Sequence, residues 1–202
     1  MTVRRRRTVE VRREEILSAT TGLLDRIGLA NTRVADVAQE LGVSPSLVFY
    51  HFGTKDALVA EAFAHAVEHD LARLDDAMST GSDPVDRLRR VLRLYGPTGE
   101  ATGWRLWIDA WALAQREPTI RTVLRRLDRR WCAVLRHVVD DGVAEGVFTC
   151  ADPTAAVTRV SALLDGLSVA ALVYRTTTRK QLKTWVTGAV AAELGLDPAV
   201  FD

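Results

Sequence analysis

Apolar residues recur every three or four positions along almost the whole of this 202-residue chain, and no stretch alternates apolar and polar residues between turns. A spacing near 3.6 buries one stripe of a helix, whereas a half-buried strand needs a spacing of two. The chain is therefore expected to be all-α, with about nine helices packing stripe against stripe. Its 48% hydrophobic and 26% charged residues fit a soluble globular protein rather than a disordered one. No run approaches the roughly 18 uninterrupted apolar residues of a membrane span. The basic N-terminus is followed by Thr8, Glu10, Arg12 and Arg13 instead of an apolar core, which argues against a secretory signal. Cys132 and Cys150 have no metal-like spacing and read as reduced thiols of a cytoplasmic protein.

Capping and breaking residues divide the chain. A first helix is expected from about Val9 to Ile27, burying Ile16, Ala19, Thr20, Leu23, Leu24 and Ile27, with Gly28 as a left-handed C-cap. Asn31-Thr32 offers a cap for a short helix from Arg33 to Glu40. Leu41-Gly42-Val43 forms a tight turn, and Ser44-Pro45 opens a third helix that ends near Phe52-Gly53. Thr54 caps a long fourth helix reaching about Met78. The loop from Ser79 to Pro84 is the plainest break in composition. Beyond it, helices are expected at 84–95, 101–116, 119–145, 153–174 and 179–194. Gly96-Pro97, Glu117-Pro118, Gly146, Asp152-Pro153 and Thr176-Thr177-Thr178 separate them.

The most informative stretch is Val34 to Phe52. Two short helices that cross steeply need a small residue where the backbones touch, and Ala38 supplies it. Four positions on, Gly42 tolerates the positive φ of the turn. Six positions further, Val48 plugs the second helix into the first beside Val37, Leu41 and Val43. Small, glycine and aliphatic at spacings of four and six is the pattern of a DNA-binding helix-turn-helix, although an αα-hairpin can match it by chance. Charge leans the same way. Residues 1–55 hold nine Lys or Arg against six Asp or Glu, and the remainder holds 18 against 20. One basic end on a near-neutral chain suggests that this end meets a polyanion. Arg4-Arg5-Arg6-Arg7 reads either as an arm lying along the duplex or as a solvated tail.

Arg13-Glu14-Glu15-Ile16-Leu17, Val37-Ala38, Leu41-Gly42-Val43-Ser44-Pro45-Ser46 and Phe49 through Leu58 together resemble the TetR family of transcriptional regulators. The match is close over about residues 12–60 and rests beyond that on helix count and length. The resemblance implies an N-terminal three-helix DNA-reading domain, residues 1–54, and a ligand-binding and dimerising domain, residues 55–202, with the helix at 55–78 linking the two. It further implies a homodimer on palindromic double-stranded operator DNA, usually as a repressor. By position, Thr32 and Arg33 would meet a phosphate at a helix N-terminus. Ser44, Pro45, Ser46 and Leu47 would enter the major groove, the Leu47 methyls suiting a thymine methyl. Tyr50 and His51 would face phosphates or base edges, and Lys55 resembles the family's phosphate-binding lysine. Phe49 departs from the family's usual tyrosine and so lacks that phosphate-binding hydroxyl. Phe52 reads as core.

In the C-terminal part, Trp104, Trp107 and Trp111 share one face of the helix at 101–116, and Trp131 lies on the next. Aromatics at this spacing suit a core. They equally suit the lining of a pocket for a planar or quaternary-ammonium small molecule. The stretch from Trp104 to Val123, with Asp109 and Glu117-Pro118, is loosely similar to choline/betaine-type regulators of the family. His65 and His69, four apart, could share a metal, but no third ligand accompanies them and an exposed helix face is the simpler account. His137 is read as a helix-surface or pocket-edge residue. Val157, Val160, Leu164, Leu167, Ala171 and Tyr174 on one terminal helix, and Leu182, Trp185, Val186, Ala189 and Ala192 on the other, suit a four-helix interface between two copies. There is no glycine-rich phosphate loop, nucleophile elbow or clustered acid/base set, so neither an enzyme nor a cofactor is expected.

Overall fold

The computed structural model describes residues 9–95 and 103–201. The Arg4-Arg7 run and the Gly96-Pro97 break lie outside these residues, as does the side chain of His69. Among the described residues there are nine α-helices and no strand. They are α1 (Val9–Ile27), α2 (Val34–Leu41), α3 (Pro45–Phe52), α4 (Lys55–Thr80), α5 (Pro84–Tyr95), α6 (Trp104–Ala114), α7 (Pro118–Ala144), α8 (Pro153–Val169) and α9 (Arg179–Leu194). A π-helical turn, Ala170–Tyr174, continues α8, and a 3-10 turn, Pro198–Phe201, ends the chain. The all-helical expectation holds, with α1, α5 and α9 at the expected bounds and the other ends, outside α8, within three residues of theirs. At the end of α8 the structure departs from the regular helix expected to Tyr174, and the segment closes at Arg175 in a left-handed conformation, φ 55°.

The chain forms two compact units, and its longest helices run through both. One comprises residues up to Glu68 together with Leu106–Arg126; the other comprises His69–Arg105 and Leu127 onward. The physical reason is helix length. At 1.5 Å per residue the 26 residues of α4 span about 39 Å, more than one small unit can bury, and α7 is as long.

In the first unit, α1 packs on α2 and α2 on α3. Ile16, Leu24, Leu29, Val37, Val48, Leu58 and Phe63 are fully buried there, so the apolar stripes of these helices share a core. Several long-range ties join α1 to α4. His65 Nε2 lies 2.6 Å from Glu14 Oε1. The Thr21 hydroxyl donates to the Ala62 carbonyl at 3.2 Å. Arg13 pairs with Glu61 and lays its guanidinium 4.7 Å from the centroid of the Phe52 ring, closing the end of α3. His65 is thus committed to α1. Among the described residues no group of three or more His, Cys, Asp or Glu is placed to hold a metal.

The α1 stripe is buried as expected at Ile16, Thr20, Leu23 and Leu24, while Ala19 is half-buried, Ile27 is 40% exposed and Leu17 joins the buried side. Asn31 and Thr32 also differ from expectation. Their side chains reach backward to the Ile27 and Gly28 carbonyls at 2.9 and 2.8 Å, satisfying the end of α1. The start of α2 is satisfied instead by Asp36, whose carboxylate accepts from the Arg33 N–H at 3.2 Å.

In the second unit, α8 packs on α9, with Val157, Val160, Leu164, Leu182, Val186 and Val190 buried. Arg159 of α8 forms a two-point pair with Glu193 of α9 at 2.6 and 2.5 Å. The stretch Pro153–Tyr174, with mean hydropathy 1.6 in its most apolar window, is long and apolar enough to cross a membrane. Its buried stripe already faces protein, and it carries Arg159 and Asp165. Gly142 packs so closely on Phe148 that an added Cβ would fall 2.1 Å from the ring.

Candidate nucleic-acid interface

The turn between α2 and α3 has the geometry that its spacing requires. Gly42 adopts φ 63° and its N–H closes α2 on the Gln39 carbonyl, a backbone conformation that costs a residue with a Cβ. Val43 N–H returns to the Ala38 carbonyl at 2.9 Å. Ala38 and Val48 are buried where the two helices meet. Ser44 caps α3, its hydroxyl accepting from the Leu47 N–H at 3.3 Å, and Pro45 occupies the first turn.

With Val48 and Phe52 turned into the core, α3 presents its other side outward. Ser44, Pro45 and Ser46 are exposed, Phe49 is 46% exposed and Tyr50 is 75% exposed. Leu47 and His51 are half-buried at the edges of this face. An aromatic pair so exposed on an eight-residue helix is unusual for a surface with no partner. Arg33 is exposed at the start of α2. Lys55, the first residue of α4, donates from Nζ to the Ala30 carbonyl at 3.0 Å and keeps two further ammonium protons. Thr32 is 1% exposed and its hydroxyl donates to the Gly28 carbonyl, so its side chain braces the turn and only its backbone faces the start of α2.

The four tryptophans are divided between the two units. Trp107 stands edge-on to Phe63 of α4 at 5.7 Å and lies 6.4 Å from Trp111, all three in the first unit. Trp104 and Trp131 are buried in the second unit. The shared stripe on α6 is therefore partly core, as Trp107 shows by its contact with fully buried Phe63.

Asp165 of α8, absent from the sequence expectations, is half-buried. Burial, and secondly the charge of Asp128 on α7, push its carboxyl up to about 6. Cys132 lies between these groups, its sulfur 3.9 Å from Asp128 Oδ1 and 3.8 Å from the Ser161 hydroxyl. Burial, and then Asp128, raise its thiol as well, which makes it a poor thiolate. Because the folded chain favours protonated Asp165, folding takes up a proton in the window from about 4, the unfolded value, to about 6. The stability this group contributes therefore falls as pH rises through that window, and the loss is complete above it. Asp165→Asn should be more stable than the wild type at pH 7.5 by about 1 kcal/mol, the full shift being discounted for solvent access. The gain should shrink toward zero at pH 4.5. Thermal melts of both proteins at the two pH values measure this, and a gain independent of pH would contradict it.

The first unit thus carries a helix-turn-helix whose second helix is capped, anchored by two core residues and outward-facing on its polar and aromatic side. Such a helix enters the major groove of DNA. Comparison with known proteins agrees. Residues 16–62 match the model of bacterial regulatory proteins of the tetR family. Residues 84–195 match the C-terminal domain of BetI-type transcriptional repressors. The regulator BetI of Stenotrophomonas maltophilia is 31% identical over 134 residues, 63% of this chain and 66% of that protein. BetI of Burkholderia mallei is 27% identical over 191 residues, 91% of this chain and 85% of that protein. A transcriptional regulator from Saccharomonospora viridis, solved in complex with choline, superposes with a TM-score of 0.80 at 28% identity, covering 91% of this chain and 97% of that one. A TetR-family regulator from Rhodococcus sp. gives 0.76 at 26%, covering 91% and 98%. This chain belongs to the TetR family of transcriptional regulators, with a C-terminal part of the BetI type. It is a regulator and not an enzyme.

Proposed function

We propose that the protein is a cytoplasmic repressor that binds a palindromic operator as a homodimer and leaves it when a small organic cation binds. In this reading residues 1–54 read the DNA, residues 55–202 sense and dimerise, and α4 joins the two. The observation that carries it is the outward face of α3, where Ser44, Pro45, Ser46, Phe49 and Tyr50 stand exposed, with Arg33 and Lys55 at the starts of the helices before and after it in the chain. Small hydroxyls and an exposed aromatic pair suit base edges and thymine methyls, and the two cations suit phosphates. The choline bound by the Saccharomonospora viridis regulator supports a ligand of the choline class. Indole faces such as those of Trp104, Trp107, Trp111 and Trp131 attract quaternary ammonium groups.

Nuclease footprinting on operator DNA recovered by genome-wide pull-down tests the reading. Protection is expected over two inverted half-sites whose centres lie about 34–36 Å apart or slightly more. Lys55→Ala should weaken binding to every sequence and reduce the salt slope by about one unit. A single asymmetric half-site, or an unchanged slope in a folded variant, would count against the proposed orientation.

A further inference from the structure

We propose that Asp109, projecting from α6, is a positioning residue for DNA binding, acting with Lys55 to hold the turn between α1 and α2. The proposal rests on the reading of the chain as an operator-binding regulator. Residues 28–33 must carry the backbone from the end of α1 to the start of α2, and α3 packs on α2, so the pose of this turn sets the pose of the recognition helix. Two of its peptide groups are held by side chains from elsewhere in the sequence. The Leu29 N–H donates to Asp109 Oδ2 at 3.3 Å across 80 positions. The next carbonyl, that of Ala30, accepts from Lys55 at 3.0 Å. One grip is thus a carboxylate on an amide and the other an ammonium on a carbonyl, and both lie within the first unit.

A second feature shows the same approach independently of the hydrogen bond. Gly28 has φ +82°, and a Cβ built on it would stand 2.6 Å from Asp109 Oδ2. The carboxylate therefore rests on the bare face of the glycine, at a distance that a side chain would prevent. Leu29 itself is fully buried, so its amide has little access to water and needs a partner from the protein. A carboxylate is an expensive choice for that partner, because it lies beside the C-terminal end of α1, where the helix dipole disfavours negative charge. A neutral acceptor of the same shape would satisfy the amide without that conflict. This makes Asp109→Asn a discriminating variant.

The experiment compares wild type, Asp109→Ala and Asp109→Asn as full-length proteins. The readouts are operator affinity, affinity for a non-operator duplex, thermal stability and the exchange rate of the Leu29 amide proton. The alanine variant should lose about tenfold in operator affinity, the size expected for one hydrogen bond to a charged group. Its Leu29 amide should exchange faster, while its affinity for non-operator duplex changes little. The asparagine variant should restore both operator affinity and amide protection. Operator binding by the alanine variant equal to the wild type would overturn the proposal. So would an asparagine variant that protects the Leu29 amide yet loses as much affinity as alanine, since charge rather than the grip would then be responsible. If the wild type itself fails to prefer operator over non-operator duplex, the functional reading fails instead, and the two failures are distinct.

Discussion

Replacing Trp185 with glutamate is expected to convert the protein to monomers and to lower operator affinity by about 10²–10⁴-fold. Trp185 is 47% exposed on α9, and Tyr174, at the end of the π turn after α8, is 70% exposed. Large apolar side chains this open are what an isologous interface between two copies would cover. In a two-fold interface the substitution enters twice, so two carboxylates would have to be desolvated in one apolar seam. Leu167, on the same pair of helices, is a weaker choice for the test. It is half-buried within the chain itself, so a charge there threatens the fold of the protomer as well. Trp185 leaves the buried stripe of Leu182, Val186 and Val190 intact. The loss of DNA affinity follows from losing the second recognition helix, because each half-site would then be bound alone. Sedimentation and an operator titration at the same protein concentration measure both effects. A soluble dimer with unchanged operator affinity would place the self-contact elsewhere.

Local chemistry made the helix-turn-helix legible. Ala38, Gly42 and Val48 lie within eleven positions of one another, and each is required by the backbone geometry at its own place. The bounds of α1 and α9 follow in the same way from Gly28, from Gly195 and from the Thr178 cap, whose hydroxyl accepts from the Gln181 N–H at 3.2 Å. What a local pattern does not carry is partnership across the sequence. Arg13 with Glu61, Glu14 with His65 and Leu29 with Asp109 are 48, 51 and 80 positions apart. No residue in any of these pairs is of an uncommon type. The same limit explains His65, whose spacing from His69 suggested a shared helix face while its partner lay on α1. Thr32 and Asn31 show a subtler ambiguity. A hydroxyl or amide in a short turn can cap the helix after it or the helix before it, and the sequence pattern is the same in both cases. The tryptophan stripe lies along one face of α6. That face crosses the division at Arg105/Leu106, so its members belong to different units.

Saturating choline should reduce operator affinity about a hundredfold, which corresponds to about 2.7 kcal/mol of coupling between the two sites. Such a shift requires only that the cation prefer a form of the dimer whose recognition helices do not match the half-site spacing. Helices continuous through both units, α4 and α6 among them, provide the means. The first residues of α4 and the last residues of α6 belong to the unit that reads DNA, and the other ends of both helices belong to the unit that carries Trp131. A change in either helix is therefore felt in both units without any further connection. Choline chloride is itself a salt, and any salt weakens phosphate contacts, so each titration needs sodium chloride at matched concentration as its control. The decisive measurement is reciprocal. Tryptophan fluorescence should report choline binding to the free protein, and the same titration on operator-bound protein should give a dissociation constant weaker by the same hundredfold, because a coupling free energy acts equally in both directions. Equal choline affinity for free and operator-bound protein would refute the coupling, whatever the affinity, since a ligand that does not distinguish two states shifts neither.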